Sequence, residues 1–245
     1  MLGGRPLTPP STQASRHAGP VVLEANDVSV SDPRRRSHRL VDAVSLSLRA
    51  GEVVGLVGLV GSGRTELMWA LYGALRRTGT VSIDGREVEQ DPRAAIDAGM
   101  ALVTEDRHST GLFHLFDVAR NITVATLDHT PYHGLLSDAA ETAAADRQVA
   151  ALGIRTPSSR RPITSLSGGN QQKALLARWL VRGSRVLLLD EPARGIDIGA
   201  RREITASCAS SQPIGTARSW SRAPSLPSSS APVTATRGPA RPDRC

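Results

Sequence analysis

The sequence predicts an α/β fold built on a largely parallel sheet, and three observations carry that prediction. The runs EVVGLVG (52–58) and RVLLLD (185–190) are near-continuously apolar and of strand length, which suits strands buried on both faces. Stretches with helical periodicity separate the strand-like runs, so strands and helices alternate along the chain. The 245 residues are 40% apolar but only 3% aromatic, enough for a sizeable core that must be aliphatic.

Taken in order, residues 1–20 are rich in Pro, Ser, Thr and Gly and read as a linker. VVLEANDVSV (21–30) and AVSLSLR (43–49) alternate apolar and polar residues, as half-buried antiparallel strands do, and DPRRRSHR between them is a turn with a solvated charge run. EVVGLVG feeds a glycine-rich segment and then a helix, RTELMWALYGAL (64–75). TVSIDG (80–85) is a strand with a turn, and PRAAIDAG (92–99) is a short helix opened by Asp91 and Pro92 and closed by Gly99. ALVTEDR (101–107) runs from strand into loop. Residues 117–153 are mostly helical in pattern. Ser137 is a suitable N-cap for DAAETAAADRQVAAL (138–152), with Asp138 and Glu141 in the first turn and Gly153 past the end. GGNQQKALLARWLV (168–181) is a further helix, ahead of RVLLLD. After Ile204 the composition changes. Residues 205–245 hold nine Ser, seven Ala, six Pro and five Arg with no apolar periodicity, and are expected to be disordered.

Composition narrows the function classes. No run of 18 apolar residues exists to form a membrane-spanning helix, and the first twenty residues lack the apolar stretch of a secretory signal. The two cysteines, Cys208 and Cys245, give neither a disulfide framework nor a metal cluster, and the six histidines are scattered between His17 and His133. These features fit a cytoplasmic protein. The net charge is +7, of which +4 lies in residues 205–245, and Lys173 is the only lysine among the basic residues. An arginine bias of that kind reflects a GC-rich gene, and no nucleic-acid partner is expected.

Three motifs carry chemistry. GLVGSGRT (58–65) joins an apolar strand to a helix, the context a phosphate cradle requires. Gly58, Gly61 and Gly63 let the backbone approach closely, the N–H groups around Ser62 point inward, and the helix N-terminus adds positive potential. Thr65 is positioned to ligate Mg²⁺. Arg64 stands where a phosphate loop ordinarily has lysine, so a planar fork replaces a compact point charge. Asp190 and Glu191 end the strand RVLLLD; Asp190 is expected to hold Mg²⁺ through water and Glu191 to polarise an attacking water. Ser167, Gly168 and Gly169 open the helix 168–181, where a hydroxyl and free N–H groups can meet an anion.

With these motifs in this order, the chain resembles the ATP-binding subunit of monosaccharide ABC importers of the ribose, xylose, arabinose or galactose type, and specifically the second of its two fused cassettes. The resemblance rests on GEVVGLVGLVGSGRTELMWALYG (51–73), EDRHSTGLFHLFDVARNIT (105–123), LSGGNQQKALLARWL (166–180) and LLLDEPARGIDIGARREI (187–204), and covers about residues 21–204. It implies a P-loop NTPase fold of ABC type with a small antiparallel β region, a helical subdomain at about 106–182 and an incomplete C-terminal core. It implies ATP and Mg²⁺ as cofactors, with Glu191 catalytic. ATP contacts would come from the loop residues 58–65, Glu105 (in the place of a γ-phosphate-sensing glutamine) and Asp190. Ser167, Gly168, Gly169 and Gln171 would act on the ATP of a partner cassette, and Asp197, in a Gly-rich turn, would belong to the D-loop. The implied partners are that second cassette, transmembrane permease subunits and, indirectly, a periplasmic or lipid-anchored sugar-binding protein. The implied location is peripheral, at the inner face of the cell membrane.

The chain departs from the family pattern in three places. A first cassette is missing, no aromatic residue precedes Trp69 to stack on adenine, and no histidine follows His133 to serve as the switch that touches the γ-phosphate. The abrupt change after Ile204 is what a GC-rich gene yields when read out of frame, so a truncated or frameshifted product is expected. Two alternatives stay open from the sequence: an inactive remnant or non-catalytic partner cassette, and a soluble ABC ATPase acting on nucleic acid or the ribosome.

Overall fold

The computed structural model describes residues 19–34, 38–59, 61–129, 137–191, 215–221 and 234–238, the last two segments through their backbone. The N-terminal hairpin forms as the alternation predicts: β1 (Val21–Ser31) pairs antiparallel with β2 (Arg39–Arg49). β4 (Thr78–Ile83) joins the other edge of β1, and β5 (Arg86–Glu87) follows, giving a four-stranded antiparallel sheet in the order β2-β1-β4-β5. Asp27 and Ala43 adopt left-handed backbone within this sheet, and the pairing register shifts around them. Each bulge is satisfied by a hydroxyl across the hairpin: Ser45 Oγ accepts from the Asp27 N–H and Ser29 Oγ from the Ala43 N–H.

The second sheet has the order β6-β7-β8-β3-β9. β3 (Val53–Gly58), β6 (Met100–Val103) and β7 (Val186–Leu189) are the strands read from apolar runs. The β6–β7, β7–β8 and β8–β3 pairs are all parallel. β7 is buried along its whole length, and its residues divide by parity. Val186 and Leu188 join one core with Leu56, Leu67, Met68 and Met100, whereas Leu187 and Leu189 join a second core with Ile122, Ile163, Leu175 and Leu176. A period of two on a strand covered on both faces requires this split.

The first core lies beneath α1 (Arg64–Leu71) and α2 (Pro92–Asp97), the second beneath α3 (Val118–Thr123), α4 (Asp138–Ala151) and α5 (Gly168–Arg182). The starts of α2 and α4 follow the predicted chemistry, and α3 starts in the same way. Asp91, Asp117 and Ser137 cap α2, α3 and α4 through their side-chain oxygens, and Gly183 ends α5 in left-handed backbone. α1 stops at Leu71, four residues short of the predicted end, because Tyr72 closes the last turn and Gly73 turns left-handed.

The expectation of disorder after Ile204 needs correction at two places. Residues 215–221 form β8, parallel to β3 and β7, and residues 234–238 form β9, antiparallel to β3. β3 is an interior strand, and the N–H and C=O groups on both its edges require partners. Backbone pairing needs no apolar pattern in the partner strand, which is why composition missed it. The linker assigned to 1–20 lies almost wholly outside the described residues.

Candidate nucleotide site

The sheet places the predicted chemistry at one end. β3, β6 and β7 run in the same direction, so the segments after them (58–65, 104–106 and 190–191) leave the same edge of the fold. The Asp190 N–H donates to the Val103 carbonyl at 2.9 Å, which ties the β7 exit to the β6 exit. In the glycine loop, Gly61 and Gly63 are left-handed, with φ of 81° and 85°. A Cβ on Gly63 would overlap the carbonyl oxygen of Leu40, so glycine is required there both by its backbone and by the closeness of β2. The Ser62 hydroxyl sits where a side chain on Gly58 would be. It is buried without a hydrogen-bond partner among the described residues. No side chain caps the N-terminus of α1, and Thr65 is half-buried in its first turn. The loop thus brings together a helix N-terminus without a side-chain cap, a buried hydroxyl and a cation.

That cation is Arg64, 8% exposed at the first position of α1. Its Nη1 donates to Glu191 Oε1 at 3.0 Å, so the phosphate loop and the acidic turn after β7 are joined across 127 residues of chain. Arg64 Nε is buried with no acceptor among the described residues. Asp190 is almost wholly buried at the end of β7. Glu191 is left-handed, with φ of 43°, a conformation that costs a residue with a Cβ about 1–2 kcal/mol. Glu105 is half-buried beyond the end of β6, ahead of a π-helical turn at Arg107–Gly111. Asp197 lies outside the described residues.

Ser167, Gly168 and Gly169 open α5 on the side of the second core. The Ser167 side chain makes no cap bond to the helix; its hydroxyl instead accepts from Asn170 Nδ2 at 3.0 Å. The first N–H groups of α5 therefore carry no side-chain cap. Gln171 is placed differently from its implied role. It is 6% exposed, its Oε1 accepts from Arg107 Nε at 3.2 Å, and its Nε2 donates to the Ile163 carbonyl at 3.3 Å. The amide at the open helix end belongs to Asn170, whose Oδ1 accepts from the Arg155 N–H at 2.9 Å. Both residues are amides one position apart, and only helix phase tells which faces inward. Helical periodicity of the apolar residues that follow does not separate them, because Ala174, Leu175, Leu176 and Ala177 are all buried and lie all round the helix.

A buried arginine organises the adjoining loop. Arg178 on α5 donates from Nε to the Asn121 carbonyl at 2.7 Å and from Nη1 to the Gly111 carbonyl at 2.8 Å. Its guanidinium lies 5.4 Å from the centre of the Phe113 ring. Burial pushes its pKa down to about 10. Asn121 in turn accepts from the Phe113 N–H and donates to the carbonyls of Phe113 and Asp117. The loop so held exposes Phe113, Leu115 and Phe116, with the two rings stacked at 5.4 Å.

The family model described as ABC transporter matches residues 41–194, which contain the glycine loop, the α5 opening and the Asp190–Glu191 turn. The chain belongs to the ABC transporter family. Among its relatives, the cassette is 46% identical over 189 residues to the xylose import ATP-binding protein of Pseudomonas fluorescens, covering 76% of this chain and 36% of that protein. It is 46% identical over 192 residues to the arabinose import ATP-binding protein of Rhizobium johnstonii, covering 77% and 37%. It therefore spans a little over a third of the length of these curated relatives. Solved ABC cassettes share its fold. CbiO1 of Clostridium perfringens, part of an ABC transporter complex, superposes with a TM-score of 0.68 at 19% identity, covering 82% of this chain and 79% of that one. A dimeric cassette in a post-hydrolysis state bound to ADP and Pi superposes with a TM-score of 0.67 at 18% identity, covering 82% and 88%.

The cassette's donor set fits Mg²⁺ only when phosphate is present. Among the described residues no three His, Cys, Asp or Glu side chains group as a metal site. The buried carboxylate of Asp190 and the hydroxyl of Thr65 would supply one or two ligands, and phosphate oxygens and water would complete the shell, as is usual for Mg²⁺.

Proposed function

We propose that this chain is an ATP-binding and ATP-hydrolysing cassette of a monosaccharide importer, of the second-cassette type, with ATP and Mg²⁺ as cofactors. The observation that carries this reading is the convergence of the glycine loop, Asp190 and Glu191 at one end of the parallel sheet, with the N-terminus of α5 left uncapped. The names of the xylose, arabinose and ribose import relatives support the sugar class. The backbone N–H groups of 61 and 63–65 bind the β- and γ-phosphates, Arg64 neutralises their charge, and Glu105 stands beside the γ-phosphate. Bound Mg²⁺, held by Thr65 and Asp190, would neutralise charge between those phosphates. Glu191 accepts a proton from a water whose oxygen bonds to the γ-phosphorus, while the bond from that phosphorus to the bridging oxygen breaks and its electron pair stays on ADP.

Ser167, Gly168 and Gly169, with Asn170 beside them, meet the ATP held by a partner cassette. The knuckle of Phe113, Leu115 and Phe116 faces the permease, which keeps the cassette at the inner face of the cell membrane. A sugar-binding protein acts on the far side. No helix among the described residues is long and apolar enough to cross a membrane itself.

The test is ATP turnover by the full chain, alone and with a partner cassette. Alone, the chain is expected to bind ATP and turn it over slowly. With a partner, turnover rises, and Glu191→Gln lowers it by about 100-fold or more. Failure to bind ATP in either setting overturns the reading, and fast turnover by the isolated chain overturns the need for a partner.

A further inference from the structure

We propose that Arg64 and Glu191 form a latch that ties the phosphate loop to the acidic turn, and that the incoming phosphate chain opens it by taking the guanidinium from the carboxylate. This rests on the reading of the loop as a phosphate site. The stem of Arg64 runs back over the loop, with its Cδ 3.5 Å from where a side chain on Gly58 would begin, so the guanidinium lies inside, between the exits of β3 and β7. The two side chains are only 9% and 16% exposed, so their attraction is poorly screened by water or salt.

The pair leaves the arginine incompletely satisfied. A guanidinium offers five donors in a planar fork, and the buried Nε finds no acceptor among the described residues. A phosphate brings several oxygens to the same place and can engage the fork through two donors at once, which one carboxylate oxygen does not. Lysine carries its three N–H donors on one nitrogen and has no planar fork, so it would meet a phosphate as a point charge. The exchange also acts on Glu191. Its carboxylate accepts from Arg64 in the closed pair, and loss of that bond lets it turn toward the water beside the γ-phosphate. The latch thus holds the water-polarising group back until the cassette's own loop is filled, and it weakens nucleotide binding by the strength of the pair that must be broken.

The experiment measures affinity for Mg-free ADP, so that neither hydrolysis nor metal enters, by calorimetry on the full chain. Glu191→Gln is expected to bind ADP about tenfold more tightly than the parent. In an Arg64→Met background the same substitution is expected to change affinity by less than about twofold. Arg64→Lys provides the second background, and there the gain from Glu191→Gln falls below that in the parent. An equal gain in every background means simple charge repulsion between Glu191 and phosphate, and overturns the latch. ADP binding that Glu191→Gln leaves unchanged also overturns the latch, while the phosphate-site reading stands. Absence of ADP binding in the parent and all variants overturns the phosphate-site reading and the latch with it.

Discussion

The phosphate loop and the opening of α5 are both glycine-rich helix starts, yet they differ in how far the cassette satisfies them. The loop is closed upon its own chain: Gly63 packs against β2, and Arg64 is bound to Glu191. The α5 opening is left unfinished, for Ser167 is exposed, does not cap the helix, and spends its hydroxyl on Asn170. Neither helix start carries a side-chain cap, but only the loop is also held by contacts from distant parts of the chain. The difference teaches that a glycine-rich helix start can stay uncapped while packing fixes its shape, or stay uncapped with only local contacts around it, and that the neighbours of the glycines distinguish the two.

Substitutions at the two ends break or sharpen that contrast. The largest effect is expected for Gly63→Val, which places a branched side chain at a left-handed position against the Leu40 carbonyl. It should lower stability by about 3 kcal/mol or more, read by urea unfolding. Ser167→Ala should cost under about 0.5 kcal/mol in the same assay, because no cap bond is lost. A cost above 1 kcal/mol there would make the two ends alike.

The cores beneath the two ends also differ in their buried titratable groups. Arg178→Met, on the α5 side, removes a cation bonded to two carbonyls and is expected to cost about 3 kcal/mol, with Arg178→Lys recovering less than half. Proteolysis of the 111–117 loop should quicken in parallel, and an unchanged loop would deny Arg178 its organising role. On the other side, burial pushes the Tyr72 pKa up to about 12, with Arg182 opposing weakly. The unfolded chain releases that proton near pH 10 while the folded chain keeps it to about 12, so stability falls between those values. Tyr72→Phe should remove about 2–3 kcal/mol of that alkaline loss in unfolding measured at pH 9 and pH 12. An unaltered slope would mean that the hydroxyl is hydrated.

Legibility in the sequence followed the reach of each interaction. Strands buried on both faces announced themselves as unbroken apolar runs, as in VLLL of β7, and capped helices announced themselves through Asp91 and Ser137. The glycine loop was readable because glycine takes the left-handed backbone found at 61 and 63 at the least cost. The inward turn of Gln171 was not read, because it depends on helix phase relative to Arg107 and Ile163, which are distant in the chain. β8 and β9 were not read because their pairing with β3 uses backbone groups that every residue carries.

The sequence by itself therefore determined the local chemistry: which segments are strands and helices, where the glycines must bend, and which acids follow a buried strand. Those properties arise from neighbouring residues and from the periods of helix and strand. The tertiary structure alone decided which of those groups meet. It brought Arg64 to Glu191 by running β3 and β7 in the same direction within one sheet, and it turned Gln171 inward while leaving Asn170 beside the open helix end. Strand order and helix orientation are settled by burying two cores at once, a condition on the whole chain that no local stretch contains.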